Sequence, residues 1–120
     1  MPPRIEAYSF GRMRVDGREY SRDLIILPTE IQPNWWRKEG HSLCMEDLEY
    51  VMKYNEQNPL EILVIGTGYM GCMRVPSEVV KAIEERGIKV IVTDTRRAVD
   101  LYNRYASSGK RTAGAFHLTC

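Results

Sequence analysis

Apolar and polar positions change their spacing repeatedly along this chain. From Ile5 to Leu27 they come in short strand-like runs: Ile5 to Tyr8, Met13 to Val15, and Glu19 to Leu27, which stops at Pro28. Asp16-Gly17 lies between the second and third runs, and both central positions of a tight hairpin turn need a positive φ that this pair tolerates. A looser segment follows, TEIQPNWWRKEGHSL, whose proline and glycine interrupt regular structure and which carries both tryptophans. From Met45 to Tyr54 the period becomes helical, with Leu48, Val51 and Met52 on one stripe. Glu61 to Ile65 is almost wholly apolar, as in a strand covered on both faces. Pro76 suits the first turn of a helix with Val79, Val80 and Ile83 inward, closed by Gly87. Ile88 to Thr93 predicts a strand. Arg96 to Ser107 predicts a helix burying Ala98, Val99, Tyr102, Tyr105 and Ala106, and Thr112 to Leu118 a last strand.

The predicted order is three strands, then helix, strand, helix, strand, helix, strand. A strand–helix–strand unit of the length from Glu61 to Thr93 crosses over right-handed and makes its strands parallel. The expected fold class is therefore α/β: a single three-layer domain over residues 1–120, with a central mixed sheet, helices packed on it and an N-terminal β-hairpin. A chain of 120 residues with 43% hydrophobic and 28% charged positions fits one soluble globular domain. No apolar run reaches the ~18 residues of a membrane span. The first ten residues lack the character of a signal or transit peptide. Three cysteines, an odd number without a C-x-x-C pair, fit a reducing, cytoplasmic setting. The net charge of +1 names no partner, but its distribution is uneven. Thr29 to Glu61 holds seven acidic and three basic residues, and Arg86 to Arg111 seven basic and two acidic. Two solvated faces account for this; the sharper reading is a dipolar molecule that self-associates or docks a protein.

Gly66, Gly68 and Gly71 have the spacing G-x-G-x-x-G behind an apolar strand. In a dinucleotide fingerprint the helix begins within the motif and aims its free N–H groups at the pyrophosphate. Here Pro76 delays the helix, and Cys72 to Val75 fill the gap as loop or extended chain. Asp94 stands roughly where a ribose-binding acid would, but the second mononucleotide half of such folds is missing. No nucleotide cofactor is expected. The glycines read instead as a loop at the carboxyl end of a parallel strand, able to approach a small anion, a neighbouring loop or the Trp35-Trp36 segment.

The stretches FGRMRVDGREYSRDLIILP, IGTGYMGCMRVPSEVV, GIKVIVTDT and AVDLYNRYASSGKRTAGAFHLTC resemble, across essentially the whole chain, one small domain family. It includes the adipogenesis-associated protein of animals, a mitochondrial complex I assembly factor, and stand-alone archaeal and bacterial copies. The resemblance is most specific at Thr95, Ala98, Tyr102-Asn103, Gly109 and His117 to Cys120. It implies a three-layer α/β domain whose last strand runs antiparallel to the others, and an assembly or interaction role with no established catalytic set. Complex I assembly itself is not expected, because no presequence is visible.

Two function classes follow. The first is a non-catalytic interaction module, self-associating or binding a protein through Trp35, Trp36 and Arg37, since Trp and Arg dominate binding hot spots. The second is a small-ligand binder or enzyme with a pocket at the glycine loop. Its wall would be Gly66, Thr67, Gly68, Cys72, Thr95, Arg96, His41 and His117. His117-x-x-Cys120 offers two ligands, too few for zinc, so no metal is expected. Asn103 reads as a structural tie, because Asn costs a helix stability unless bonded. The basic stretch lacks a recognition motif for nucleic acid. Neither catalytic residues nor membrane contact are expected.

Overall fold

A computed structural model describes residues 2–120. Strands β1 (Ile5–Ser9), β2 (Arg12–Val15) and β3 (Arg18–Tyr20) form an antiparallel three-stranded sheet. Asp16 and Gly17 both take positive φ, 48° and 80°, and set the Val15–Arg18 pairing that fixes the register of β2 against β3. The run expected as one strand from Glu19 to Leu27 is broken at Ser21–Asp23. Its first part is β3, and its second, β4 (Leu24–Leu27), belongs to another sheet. The break has a local cause, because all four residues of β4 are buried and need apolar cover on both faces. A short strand β5 (Glu30–Gln32), within the segment read as irregular, pairs with β4.

The second sheet has the order β5-β4-β8-β6-β7, where β6 is Ile62–Thr67, β7 Lys89–Thr93 and β8 Thr112–His117. It is mixed, as expected, but the strand orientation implied by the resemblance is corrected. β8 runs parallel to β6, and β4 is antiparallel to β8. The reason is connectivity. β7 returns through helix α3 (Thr95–Ser107) to a strand on the far side of β6, a crossover that leaves β8 parallel.

The expected helix at Met45–Tyr54 is a 3-10 turn over Met45–Leu48 running into α1 (Glu49–Gln57). Helix α2 spans Ser77–Glu84 and α3 begins one residue before its expected start, because the Asp94 side chain accepts from Arg97 N at 3.1 Å. Alternation along β4, β6 and β8 sorts two cores. Ile25, Leu63, Ile65 and Ala115 face Val51, Val79 and Ile83 of α1 and α2. Leu24, Val64 and Phe116 face Ala98 and Tyr102 of α3, and Ile5, Met13 and Val15 of the first sheet close that side. Asn103 binds both faces of one residue, accepting from Ile5 N at 3.0 Å and donating to Ile5 O at 2.7 Å, and so ties α3 to β1. No helix of the described residues is long and apolar enough to cross a membrane.

Gly114 sits where Tyr102 and Phe116 meet edge to face, their ring centroids 5.9 Å apart. A Cβ there would lie 2.3 Å from Phe116 Cε2, inside a fully buried ring. Gly114→Ala is therefore expected to lower unfolding stability by about 1–3 kcal/mol in denaturant titrations, the cost of overpacking.

Candidate functional site

The loop after β6 answers the question its glycines pose. Residues 68–73 are turn and irregular chain, and α2 starts only at Ser77. Between them Arg74 bonds to the His41 segment, with Arg74 N to His41 O at 2.7 Å and Leu43 N to Arg74 O at 2.9 Å. The gap is thus extended chain with a partner of its own. Three amides of the loop are taken up by the segment following β8. Tyr69 N donates to Thr119 O at 2.8 Å, and Met70 N and Cys72 N donate to Cys120 O at 3.0 and 3.1 Å. Gly68, at φ 110°, is in backbone contact with that segment, since a Cβ would fall 2.3 Å from Cys120 C. Asp94, the residue at the ribose-acid position, caps α3 and lies 3.7 and 3.8 Å from the Arg96 and Arg97 guanidinium nitrogens.

Several of the eight residues proposed to line a pocket converge on Thr95. Its hydroxyl accepts from Gly68 N at 2.8 Å and donates to His117 O at 2.6 Å. Gly66 packs against it so closely that a Cβ would lie 2.8 Å from Thr95 Oγ1. Thr67 Oγ1 donates to Thr93 O at 3.1 Å. Arg96 lies outside this group, its guanidinium 4.6 Å from the centroid of the Tyr69 ring. Cys72 is exposed beside Cys120. The His41 and His117 rings are 6.3 Å apart, edge to face.

Beneath His117 lies a cluster that sequence reasoning missed. Asp23 Oδ2 accepts from Arg37 Nη1 at 2.6 Å and from His117 Nδ1 at 2.8 Å, and Asp23 Oδ1 accepts from Leu118 N at 2.8 Å. Arg37 Nη2 lies 3.1 Å from His117 Nδ1 and donates to Gly40 O at 3.0 Å. A guanidinium only donates, so a proton on Nδ1 is directed to Asp23 and Nη2 donates to Gly40, while Arg37 Nε is buried without a partner among the described residues. In the neutral ring that proton leaves His117 Nε2 as the acceptor, buried and without a hydrogen-bond partner among the described residues. Burial alone would push the Asp23 carboxyl up. The hydrogen bonds from His117, Leu118 N–H and Arg37 outweigh it and hold the carboxyl below its ordinary value. The available signal was the charge itself, set directly against the run Leu24–Leu27.

Arg37 also fixes the tryptophan loop. Its guanidinium carbon lies 4.9 Å from the centroid of Trp35. Trp35 is 5% exposed, with Nε1 donating to Asp47 O at 2.8 Å and its backbone N to Asp23 O at 2.7 Å. Asn34, at φ 55°, turns the chain just ahead of it. Trp36 points the other way and is 75% exposed. It stands between a concavity of about 340 Å³ that includes Lys38, Glu49 and Tyr50 and a second of about 290 Å³ that includes Arg22 and Thr119.

Residues 5–117 match a family described as "Protein of unknown function (DUF498/DUF598)". The human NADH dehydrogenase [ubiquinone] 1 alpha subcomplex assembly factor 3 is 28% identical over 111 residues, 92% of this chain and 58% of the relative. The chain thus spans little more than half the length of that relative. A solved structure of a conserved hypothetical protein from Pyrococcus horikoshii is 29% identical, with TM-score 0.77, covering 98% of this chain and 99% of the other. One of an outer membrane protein from Bartonella henselae is 26% identical, with TM-score 0.82, covering 99% and 98%.

The depressed Asp23 carboxyl has a stability consequence of definite sign. A group whose folded value lies below its unfolded one stabilises fully above the unfolded value, near 3.9 for Asp, and loses that contribution as pH falls through the folded value. Stability measured by denaturant titration is expected to fall with pH below about 4. Asp23→Asn should lose on the order of 3 kcal/mol at neutral pH, because Arg37 stays buried without its counter-charge. It should also flatten the acid limb of the profile; an unchanged limb would assign the acid sensitivity to other carboxylates.

Proposed function

The chain belongs to the DUF498/DUF598 family of proteins of unknown function, and from that membership we propose that it works as a non-catalytic interaction and assembly module. The observation that carries this reading is Trp36. A large aromatic ring, 75% exposed, stands on a loop that Trp35, Arg37 and Asp47 hold rigid from below. An anchor fixed before binding loses little conformational freedom when a partner covers it. The two concavities beside it would receive side chains from the partner, and the charged residues Lys38, Glu49 and Lys53 would form a polar rim. The relation to an assembly factor supports a protein as the partner, which for this chain is either a second copy or a different protein.

A second reading keeps a small-ligand site or an enzyme at the glycine loop. It is supported by the buried acceptor at His117 Nε2, which is oriented by Asp23 at the opposite ring nitrogen. In that reading a ligand donor would meet Nε2, and the Thr95 and Gly68 cluster would hold the neighbouring backbone in place.

The two readings separate on two measurements. Light scattering over a range of concentrations, together with affinity capture and identification of bound proteins, tests the first. Trp36→Ala should leave the melting temperature of the chain nearly unchanged while weakening the complex about 30-fold, a loss of ~2 kcal/mol typical of a hot spot. A complex that survives Trp36→Ala intact would remove this surface from the interaction. A thermal-shift panel of nucleotides, phosphates and metal ions tests the second, because a ligand at about 100 times its dissociation constant adds ~2.7 kcal/mol.

A further inference from the structure

Two exposed cysteines meet where the segment after β8 crosses the glycine loop. Cys72 N donates to Cys120 O at 3.1 Å. The two residues lie outside any strand ladder, but the bond lengths along Cα–N···O=C–Cα keep their Cα atoms within about 7 Å of each other, close to the roughly 4.4–6.8 Å that a disulfide spans. The contact does not depend on that bond alone. Met70 N donates to the same oxygen at 3.0 Å, Tyr69 N to Thr119 O at 2.8 Å, and Gly68 touches the Cys120 backbone. Both thiols are open to solvent. Cys44 differs from them. It is half-buried and its thiol donates to Asp47 Oδ2 at 3.3 Å. Burial first, and then the Asp47 carboxylate, raise that thiol above its ordinary value, which makes it the poorer nucleophile.

We propose that Cys72 and Cys120 are an exchangeable dithiol, whose oxidation by a small-molecule disulfide of the glutathione class staples the segment after β8 onto the glycine loop. The Cys72 thiolate attacks one sulfur of glutathione disulfide, forming a mixed disulfide and expelling one glutathione thiolate. The Cys120 thiolate then attacks the Cys72 sulfur and expels the second. Two protein thiols lose two electrons, one glutathione disulfide gains them, and the two protons given up by the cysteines end on the two glutathione thiols. The labelling can be reversed by order of attack, with the same product. Closure is favoured over two separate adducts because the loop amides already hold the partners together.

The test uses the full chain, reduced and then incubated with glutathione disulfide. Remaining thiols are alkylated with iodoacetamide, and the digest is mapped by mass spectrometry. The expected result is a Cys72–Cys120 linked peptide, with Cys44 alkylated, reversed by dithiothreitol. Cys72→Ser and Cys120→Ser, both at exposed positions, should each abolish the link and leave the other cysteine glutathionylated, with circular dichroism unchanged. Hydrogen exchange at the amides of Tyr69, Met70 and Cys72 should slow roughly tenfold or more on oxidation, since opening of the segment is what exposes them. Separate glutathione adducts on Cys72 and Cys120 in the unsubstituted chain, links between chains, pairing with Cys44, full alkylation of all three cysteines, or exchange rates that do not change on oxidation would overturn the proposal.

Discussion

The carboxylate of Asp23 is the point at which three parts of the chain are brought into register. Its two oxygens accept from Arg37, His117 and the backbone of Leu118, and its own carbonyl accepts from Trp35. The break between β3 and β4, the tryptophan loop and the end of β8 therefore share one anchor. Ion pairs of this kind contribute little net stability, because desolvating the two charges costs about as much as their attraction returns. Stability comes from the two apolar cores on either face of the large sheet. What the cluster supplies is position. It decides which way Trp36 faces and where the chain goes after His117.

Features governed by neighbours in sequence were legible before the fold was known. Asp16-Gly17 specified its turn by backbone sterics alone. Pro76 excluded a helix through the glycine loop, and α2 begins at Ser77. Asn103 in a helix announced a tie, and the tie is to Ile5. Features that depend on distant partners were not legible. Asp23 finds His117 and Leu118 some 94 and 95 positions away, and no local period encodes that. Strand β5 has only three residues and gains its order from pairing with β4. The direction of β8 follows from which side of β6 it occupies, a property of the whole sheet. Of the proposed pocket wall, Gly66, Gly68, Thr95 and His117 do come together, but the sequence held no sign that residues 119 and 120 would lie across the same loop.

The glycine loop shows how one backbone geometry can serve two ends. Successive amides facing one way make a concavity for negatively polarised oxygen. In nucleotide-binding folds that oxygen belongs to phosphate. Here it belongs to the carbonyls of Thr119 and Cys120, so a pattern that suggests a cofactor site becomes an internal clasp. Gly68 is required for the clasp on two counts, its positive φ and the absence of a Cβ.

The position of β8 in the sheet also bears on how the protein comes into being. β8 is flanked by β4 on one side and β6 on the other, yet it is the last of the described strands to be synthesised. Until it emerges from the ribosome, β4 and β6 have no common neighbour, and their apolar residues stay open to chaperones and to other nascent chains. The sheet must therefore close around a late arrival, through contacts of long sequence separation that are slow to form. Truncation products that stop short of Thr112 would accordingly be clients for proteolysis rather than small stable domains.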